Sequence, residues 1–355
     1  MKTQIFILLS FLIIFSTSMY YEILDSVAHL KNKEQFKIWH YLNKKAYSLD
    51  SEEGLSRYRE FKANKKFIEA TNAKQNDYKL GLGPFADLSF EEFSKIYLNK
   101  KIGDYVTQSN TEFLKSSEEK IDFDKMADDD ETSALPESVG ASSKDWSVVY
   151  PEVRNQGGCG SCWSFAVTGA VECMVVNSKG TRWEALSPQQ SVDCDKVNYG
   201  CQGGWPNDNM KYLVQNGLEK EVNYPYTGQE GTCRYDRNKA TVKISSFNWC
   251  QTRRQSDPKV HCNEQKLQSY LAVGSYVTLV EVTQEFANYR SGILDTRCAS
   301  YENHAVITVQ LTDQYVKIRN SWGITWGEQG YIKLRRNPNN NGTCWSDYWA
   351  TLPRA

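Results

Sequence analysis

All ten cysteines of this 355-residue chain fall between Cys159 and Cys344, and nothing before Cys159 is cysteine. A chain distributed this way joins a cross-linked domain to a leader that folds without cross-links. Such cysteine density in one block reads as a disulfide-stabilised domain made for an oxidising compartment. The length allows about two domains. With 40% hydrophobic and 13% aromatic residues the chain can bury a core, which excludes wholesale disorder. Net charge is −1, and acidic and basic side chains balance on both sides of Leu135. That balance leaves no basic excess for nucleic-acid binding.

The amino terminus agrees with export. Lys2 precedes an apolar run from Ile5 to Phe15, broken only by Ser10, and Ser16-Thr17-Ser18 supplies small residues for cleavage after Ser18. We read 1–18 as a signal peptide. The run is shorter than the roughly 20 residues that span a bilayer, and no later stretch is long enough, so no membrane partner is expected. The carboxyl terminus, Leu352-Pro353-Arg354-Ala355, carries no lipidation or retention signal.

Residues 19 to about 100 have helical patterning. Glu34 to Leu42 places Phe36 and Trp39 on one side. In the next helix, Glu53, Arg57, Phe61, Asn64, Ile68 and Asn72 recur at intervals of three or four and fall within an arc of about 100°. Glu53 and Arg57 can pair at i,i+4, and Phe61 and Ile68 supply apolar contact. Spacing alone does not separate this stripe from an ordinary amphipathic helix. Gly81 to Leu88 is turn-rich and extended, and a short helix is predicted near Phe90 to Tyr97. From about Lys100 to Ala134 the chain turns polar and then strongly acidic, from Asp122 to Glu131. That composition reads as an extended connector with exposed cleavage sites.

The cysteine-rich part carries the chemistry. Asn155-Gln156-Gly157-Gly158-Cys159-Gly160-Ser161-Cys162 runs through a glycine turn into a helical pattern that starts at Cys162. A cysteine at a helix start feels unpaired N–H groups and the positive end of the dipole, which favour the nucleophilic thiolate. Of four histidines, His29 and His40 lie in the leader and His261 in a charged loop. His304 lies at the start of a strand-like run within Glu302 to Val309, and the segment Val316 to Gly323 places Asn320 at the end of the next strand. Adjacent strands can bring an Asn amide to an imidazole far from the cysteine in sequence.

These residues, with Asp145-Trp146, Leu186-Ser187-Pro188-Gln189-Gln190, Gly200-Cys201-Gln202-Gly203-Gly204 and Asn320-Ser321-Trp322-Gly323, resemble papain-like cysteine protease precursors of the cathepsin L-like group. The local signature Cys-Gly-Ser-Cys-Trp with His and Asn downstream is a known mark of that family. The six-residue helix stripe matches the family's first propeptide motif. Gly81, Phe85 and Asp87 match its second, in which Gly83 stands where Asn is usual. The resemblance spans essentially the whole chain. It implies an α+β, papain-like two-lobed fold, with a helical left lobe and a β-barrel-like right lobe, preceded by a helical inhibitory propeptide. The implied domains are 1–18 signal peptide, 19–134 propeptide and 135–355 peptidase.

The resemblance also implies roles. Cys162 is the nucleophile, His304 its ion-pair partner and acid, and Asn320 the orienter of the imidazole, shielded by Trp322. The Gln156 side chain and the Cys162 N–H form the oxyanion hole. Gly204 pairs with the substrate backbone, its missing side chain leaving room. Gly203, Trp205, Pro206, Ala305 and a residue near Val280 line the second subsite, with Trp349 at its floor and Trp326 on the primed side. An apolar residue of limited size is expected at the second substrate position. The implied disulfides are Cys159–Cys201, Cys194–Cys233 and Cys298–Cys344. Cys250 and Cys262 flank a polar insertion that the family pattern lacks and are expected to clip it, with Cys173 a buried thiol. Asn341-Gly342-Thr343 is a glycosylation acceptor sequence. No cofactor or metal is implied. Partners are protein and peptide substrates, the chain's own propeptide and cystatin-type inhibitors, with a monomer expected. The location is the secretory pathway, ending in a lysosome, a food vacuole or outside the cell.

Other classes compete on single features. Cys159-Gly160-Ser161-Cys162 is a C-x-x-C at a helix start, the layout of a dithiol oxidoreductase, but that reading leaves His304, Asn320 and Cys201 unexplained. A catalytically inert binding protein would not need all four catalytic positions filled. A zinc site would compete with disulfides for the same cysteines. The absence of a paired-histidine insertion favours an endopeptidase.

Overall fold

The computed structural model describes residues 17–99, 144–251, 262–298, 301–336 and 342–355. Residues 1–16 of the expected signal peptide 1–18, the acidic connector, the mature start near Leu135, the insertion between Cys250 and Cys262, and Asn341 lie outside the described residues, whereas Thr17 and Ser18 open the first described helix.

The leader is built from α1 (Thr17–Ser26), α2 (Asn32–Leu42) and α3 (Glu52–Asn72). Ser51 caps α3 by accepting from the Gly54 N–H, and Glu52 and Glu53 sit where a helix dipole favours acid. Tyr20, Tyr21, Leu24, Phe36, Trp39, Phe61 and Ala86 close a small core between these helices. From Arg57 to Asn72 the stripe on α3 faces inward, with Glu53 left exposed, and its polar members Arg57, Asn64 and Asn72 clamp rather than decorate. Asn64 donates to the carbonyls of Ala86 and Leu88, and Asn72 exchanges two hydrogen bonds with Leu80. Arg57 reaches both oxygens of Glu92 at 3.0–3.1 Å and stands 3.7 Å from Glu53, so its main partner is across the fold rather than along the helix. These clamps hold β1 (Tyr78–Leu80) and the turn that follows it. A capping box between Ser89 and Glu92 then starts α4 (Phe90–Tyr97).

In the cysteine-rich part, α5 (Cys162–Lys179) is buried on every side from Cys162 to Met174 and stops at Gly180, whose φ is +61°. Around it lie α6 (Pro188–Cys194), capped by Ser187, and α7 (Pro206–Asn216), each with proline in its first turn. A small ribbon, β2 (Leu218–Glu219) with β3 (Ala240–Val242), closes this helical lobe. Disulfides Cys159–Cys201 and Cys194–Cys233 cross-link its loops.

The second lobe holds β4 (Ser246–Gln251), α8 (Glu264–Val273), β5 (Tyr276–Val280), α9 (Gln284–Ala287), β6 (Tyr289–Leu294), β7 (His304–Leu311), β8 (Tyr315–Arg319), β9 (Tyr331–Arg335) and β10 (Trp349–Arg354). The sheet has eight strands in the order β1-β6-β9-β8-β7-β5-β10-β4. All pairs are antiparallel except β6–β9. Its end strands do not pair, so the barrel-like sheet is open rather than closed. The leader supplies one of those ends: β1 adds to β6 with Tyr78 opposite Gly292 and Lys79 opposite Ser291. Gly292 has φ +89°, and a Cβ there would stand 2.4 Å from the Asp77 carbonyl oxygen, so only glycine lets the leader approach this edge. Cys250–Cys262 and Cys298–Cys344 are also bonded, and Cys173 is a free buried thiol.

Candidate active site

Helix α5 and strand β7 face each other across the lobes. Cys162 opens α5, and the Ala305 N–H of β7 points at its Sγ at 3.5 Å. Next to Ala305, His304 starts β7. Antiparallel pairing of β7 with β8 sets Ile307 opposite Arg319, which carries the following residue, Asn320, back to the start of β7. The His304 Nε2 and Asn320 Oδ1 atoms are 2.7 Å apart. A carboxamide oxygen only accepts, so Nε2 donates; in the neutral ring Nδ1 is then a free acceptor. His304 Nδ1 is buried without a hydrogen-bond partner. Trp322 stacks on the imidazole, ring centres 4.8 Å apart and 27° from parallel.

The Gln156 segment is locked to the same loop. Asn155 bridges Trp322, and the Gln156 N–H donates to the Ser321 carbonyl at 2.8 Å. The Ser321 hydroxyl donates to Gln156 Oε1 at 2.6 Å, which turns the Nε2 group outward. Cys159–Cys201 ties the turn before Cys162 to the 200–204 loop, and the Gly160 N–H donates to the Cys201 carbonyl at 2.8 Å. The sequence thus brings Gln156, Cys162, His304 and Asn320 to one place.

That place is covered by the leader. Gln156 Nε2 donates to the Tyr97 carbonyl at 3.0 Å as well as to Cys159. The Asn99 side chain donates to the Gly204 carbonyl at 2.7 Å and also reaches Cys162 Sγ, while the Asn99 N–H donates to the Asn303 carbonyl at 2.8 Å. Leu98 is buried between these contacts. Phe85 and Phe93 meet Trp322 nearly perpendicular, with ring centres 5.4 and 5.2 Å away.

Coverage reverses the electrostatics expected from the helix start. Burial pushes the Cys162 thiol up to about 11, although the N–H groups of Ala305 and Trp163 and the Asn99 side chain pull the other way. Burial also pushes His304 down to about 4, against the opposing pull of Asn320. Desolvation outweighs the dipole and hydrogen bonds here, so both groups are neutral in the covered state.

The expected substrate-side residues divide into two groups. Trp205 and Trp349 tilt against each other at 5.4 Å beside buried Pro206, and Ala305 is buried beside Cys162. Gly203 adopts φ +122°. At Gly204 the room is taken from inside. A Cβ would stand 2.5 Å from Asn198 Oδ1 and 2.8 Å from the Trp163 ring, so the wall behind the cleft already demands glycine. Trp326 is fully buried among Phe286, Tyr289 and Trp322, with its Nε1 on the Ala287 carbonyl. In this form it is core rather than cleft lining. Sequence reasoning missed Ser321 and Asn99; Ser321 was visible inside the Asn-Ser-Trp-Gly run, whereas Asn99 sits in no pattern at all.

Comparison with known proteins agrees with this architecture. Residues 135–351 match the papain family cysteine protease domain, and residues 36–93 match the cathepsin propeptide inhibitor domain. The chain is 36% identical over 340 residues to cysteine protease XCP2 of Arabidopsis thaliana, covering 93% of this chain and 88% of that one. It is 34% identical over 332 residues to pro-cathepsin H of Bos taurus, covering 90% of each. Among solved structures, digestive procathepsin L 3 of Tenebrio molitor larval midgut superposes with a TM-score of 0.73 at 29% identity, covering 91% of this chain and 99% of that one. Both domains, their order and the fold therefore coincide, and the chain belongs to the papain family of cysteine proteases, synthesised as a proenzyme with a cathepsin-type inhibitory propeptide.

Proposed function

We propose that the mature domain is an endopeptidase that uses Cys162, His304 and Asn320 as its catalytic triad. Opening the cleft rehydrates the pair, and the free Nδ1 of His304 takes the Cys162 proton. The thiolate attacks the substrate carbonyl carbon and the C=O electrons move onto oxygen. Gln156 Nε2 and the Cys162 N–H receive that oxyanion, each such donor contributing about 3 kcal/mol. The imidazolium then protonates the leaving amine, giving a thioester, and water activated by the same ring hydrolyses it. Asn320 keeps Nε2 engaged, so that the ring presents the correct nitrogen throughout.

One observation carries this reading: a backbone carbonyl, that of Tyr97, already rests on Gln156 Nε2 beside Cys162. The leader thus lies where a substrate would and acts as an intramolecular inhibitor. The Trp205–Trp349 pair and Pro206 support a shallow apolar second subsite; a cleavage profile dominated by Arg at that position would overturn this part. Four disulfides in the peptidase part support residence in the secretory pathway. We assign the mature enzyme to an acidic lysosome or food vacuole, or to release from the cell.

The test uses the purified proenzyme beside Cys162→Ala at mildly acidic pH with a thiol reductant. Intact mass and cleavage of a fluorogenic peptide, apolar at its second position, are followed together. The parent alone should shorten to a species starting near Leu135 and gain activity. Identical behaviour of the two proteins would overturn the assignment of Cys162.

A further inference from the structure

Ser161 immediately precedes the helix that carries Cys162. Serine in that place ordinarily turns its hydroxyl onto the helix's own first-turn amides. Here it makes no such cap. Its Oγ instead lies 2.7 Å from the Tyr226 hydroxyl, and that hydroxyl donates to the Gln156 backbone carbonyl at 2.7 Å. A carbonyl oxygen only accepts, so the Tyr226 proton is committed to Gln156, and the Ser161 proton goes to Tyr226 at 2.7 Å in preference to the Cys159 carbonyl at 3.5 Å. Burial pushes the Tyr226 hydroxyl up to about 12, which keeps that proton in place at any working pH. The ring is held edge-on to Phe165 of α5, with centres 4.7 Å apart and planes at 84°.

We infer that Tyr226 is a positioning residue for the oxyanion site: one hydroxyl ties together the two chain segments whose donors converge on the reacting oxygen. The segment ending in Gln156 supplies a side-chain N–H. The segment beginning at Ser161 supplies the Cys162 N–H. No disulfide joins these two atoms' own residues, and Tyr226 spans them from the loop that follows β2, against Phe165 of α5. Drawing the Ser161 hydroxyl away also spares the Trp163 N–H, which a capping serine can engage and which here acts on the Cys162 sulfur. The inference rests on the roles proposed above for Cys162 and Gln156.

The experiment compares activated parent, Tyr226→Phe, Ser161→Ala and Gln156→Ala. It measures kcat and KM on a fluorogenic peptide, binding of a peptide aldehyde and of the matched peptide amide, and the thermal midpoint. The aldehyde adds the Cys162 sulfur across its C=O and places a tetrahedral oxygen between the donors; the amide of the same sequence binds without that adduct. Misplacing one donor should lower kcat about 10- to 100-fold in Tyr226→Phe. KM and amide binding should stay within about two-fold, aldehyde binding should weaken in step with kcat, and the ring keeps its packing. Ser161→Ala, which leaves the ring untouched, should show the same pattern at about 3- to 10-fold, and the double variant should lose no more than Tyr226→Phe alone. Normal kcat and aldehyde binding in Tyr226→Phe or in Ser161→Ala, with both lost in Gln156→Ala, would overturn the staple while leaving the oxyanion assignment standing. Equal loss of aldehyde and amide binding would mark a merely structural role and overturn it too. A normal Gln156→Ala would remove the reading on which the inference stands.

Discussion

At the cleft, the propeptide is held by perpendicular aromatic contacts on Trp322 and by hydrogen bonds from groups shut away from water; at the sheet edge, it is held by a short backbone ladder flanked by exposed ion pairs. The cleft contact uses Phe85, Phe93, Tyr97, Leu98 and Asn99. The edge contact uses β1 on β6, with Asp25 on Arg290 at 2.7–2.9 Å and Asp77 on Arg335 at 3.1 Å. The difference is one of solvent. Buried aromatic contact does not respond to salt, whereas exposed ion pairs are screened and worth about 1 kcal/mol or less. The ladder supplies orientation and the cleft supplies most of the grip.

The sharpest way to break this comparison is Phe93→Ala. Phe93 is buried against Phe85, Tyr97 and Trp322, and truncating a buried phenylalanine costs about 3–5 kcal/mol. Activation at fixed pH should accelerate by two orders of magnitude or more, read as the rate of propeptide loss, with activity of the mature enzyme unchanged.

Acid should act on the cleft next. His304 is held at about 4 in the covered form against an ordinary 6.5. Between those values the covered state binds fewer protons than an open one. The stability that this group contributes is therefore complete above about pH 6.5 and is lost as pH falls toward 4. In a Cys162→Ala background, which cannot process itself, the thermal midpoint should fall through that window. Adding His304→Gln should flatten the fall; parallel curves would place the acid sensitivity elsewhere.

The edge gives smaller effects. Gly292→Ala forces a side chain into φ +89° and against the Asp77 carbonyl, a strain of about 1–3 kcal/mol. It should speed activation about 5- to 150-fold, reaching at most the lower end of the Phe93→Ala range. Arg335→Gln should change the activation rate about five-fold or less at low salt and not at all in molar salt, measured side by side. An Arg335→Gln effect as large as that of Phe93→Ala would invert the comparison.

The same division shows which parts were readable beforehand. The α3 stripe, the α4 boundaries, and the Cys162, His304 and Asn320 constellation were visible because each is written in local spacing or in a compact motif. The stripe's apolar contact through Phe61 and Ile68 was visible too. Its polar residues acting as clamps on Leu80, Ala86 and Leu88 was not, because a clamp needs a partner that sequence does not place. Strand β1 is three residues long, too short for alternation to register, and it exists only because β6 offers an edge.

Sequence by itself determined the two-domain order, the cysteine partition and the residue types of the active site, since these depend on composition and on patterns within one element. Tertiary structure alone decided their state. Burial pushes the Cys162 thiol up and the His304 imidazole down, and burial depends on what the fold packs around a group rather than on what lies alongside in the chain. The same holds for Tyr226. Nothing around it in sequence marks a tyrosine whose hydroxyl joins Ser161 to Gln156, because that bond spans 65 and 70 residues and is made only when the lobe closes.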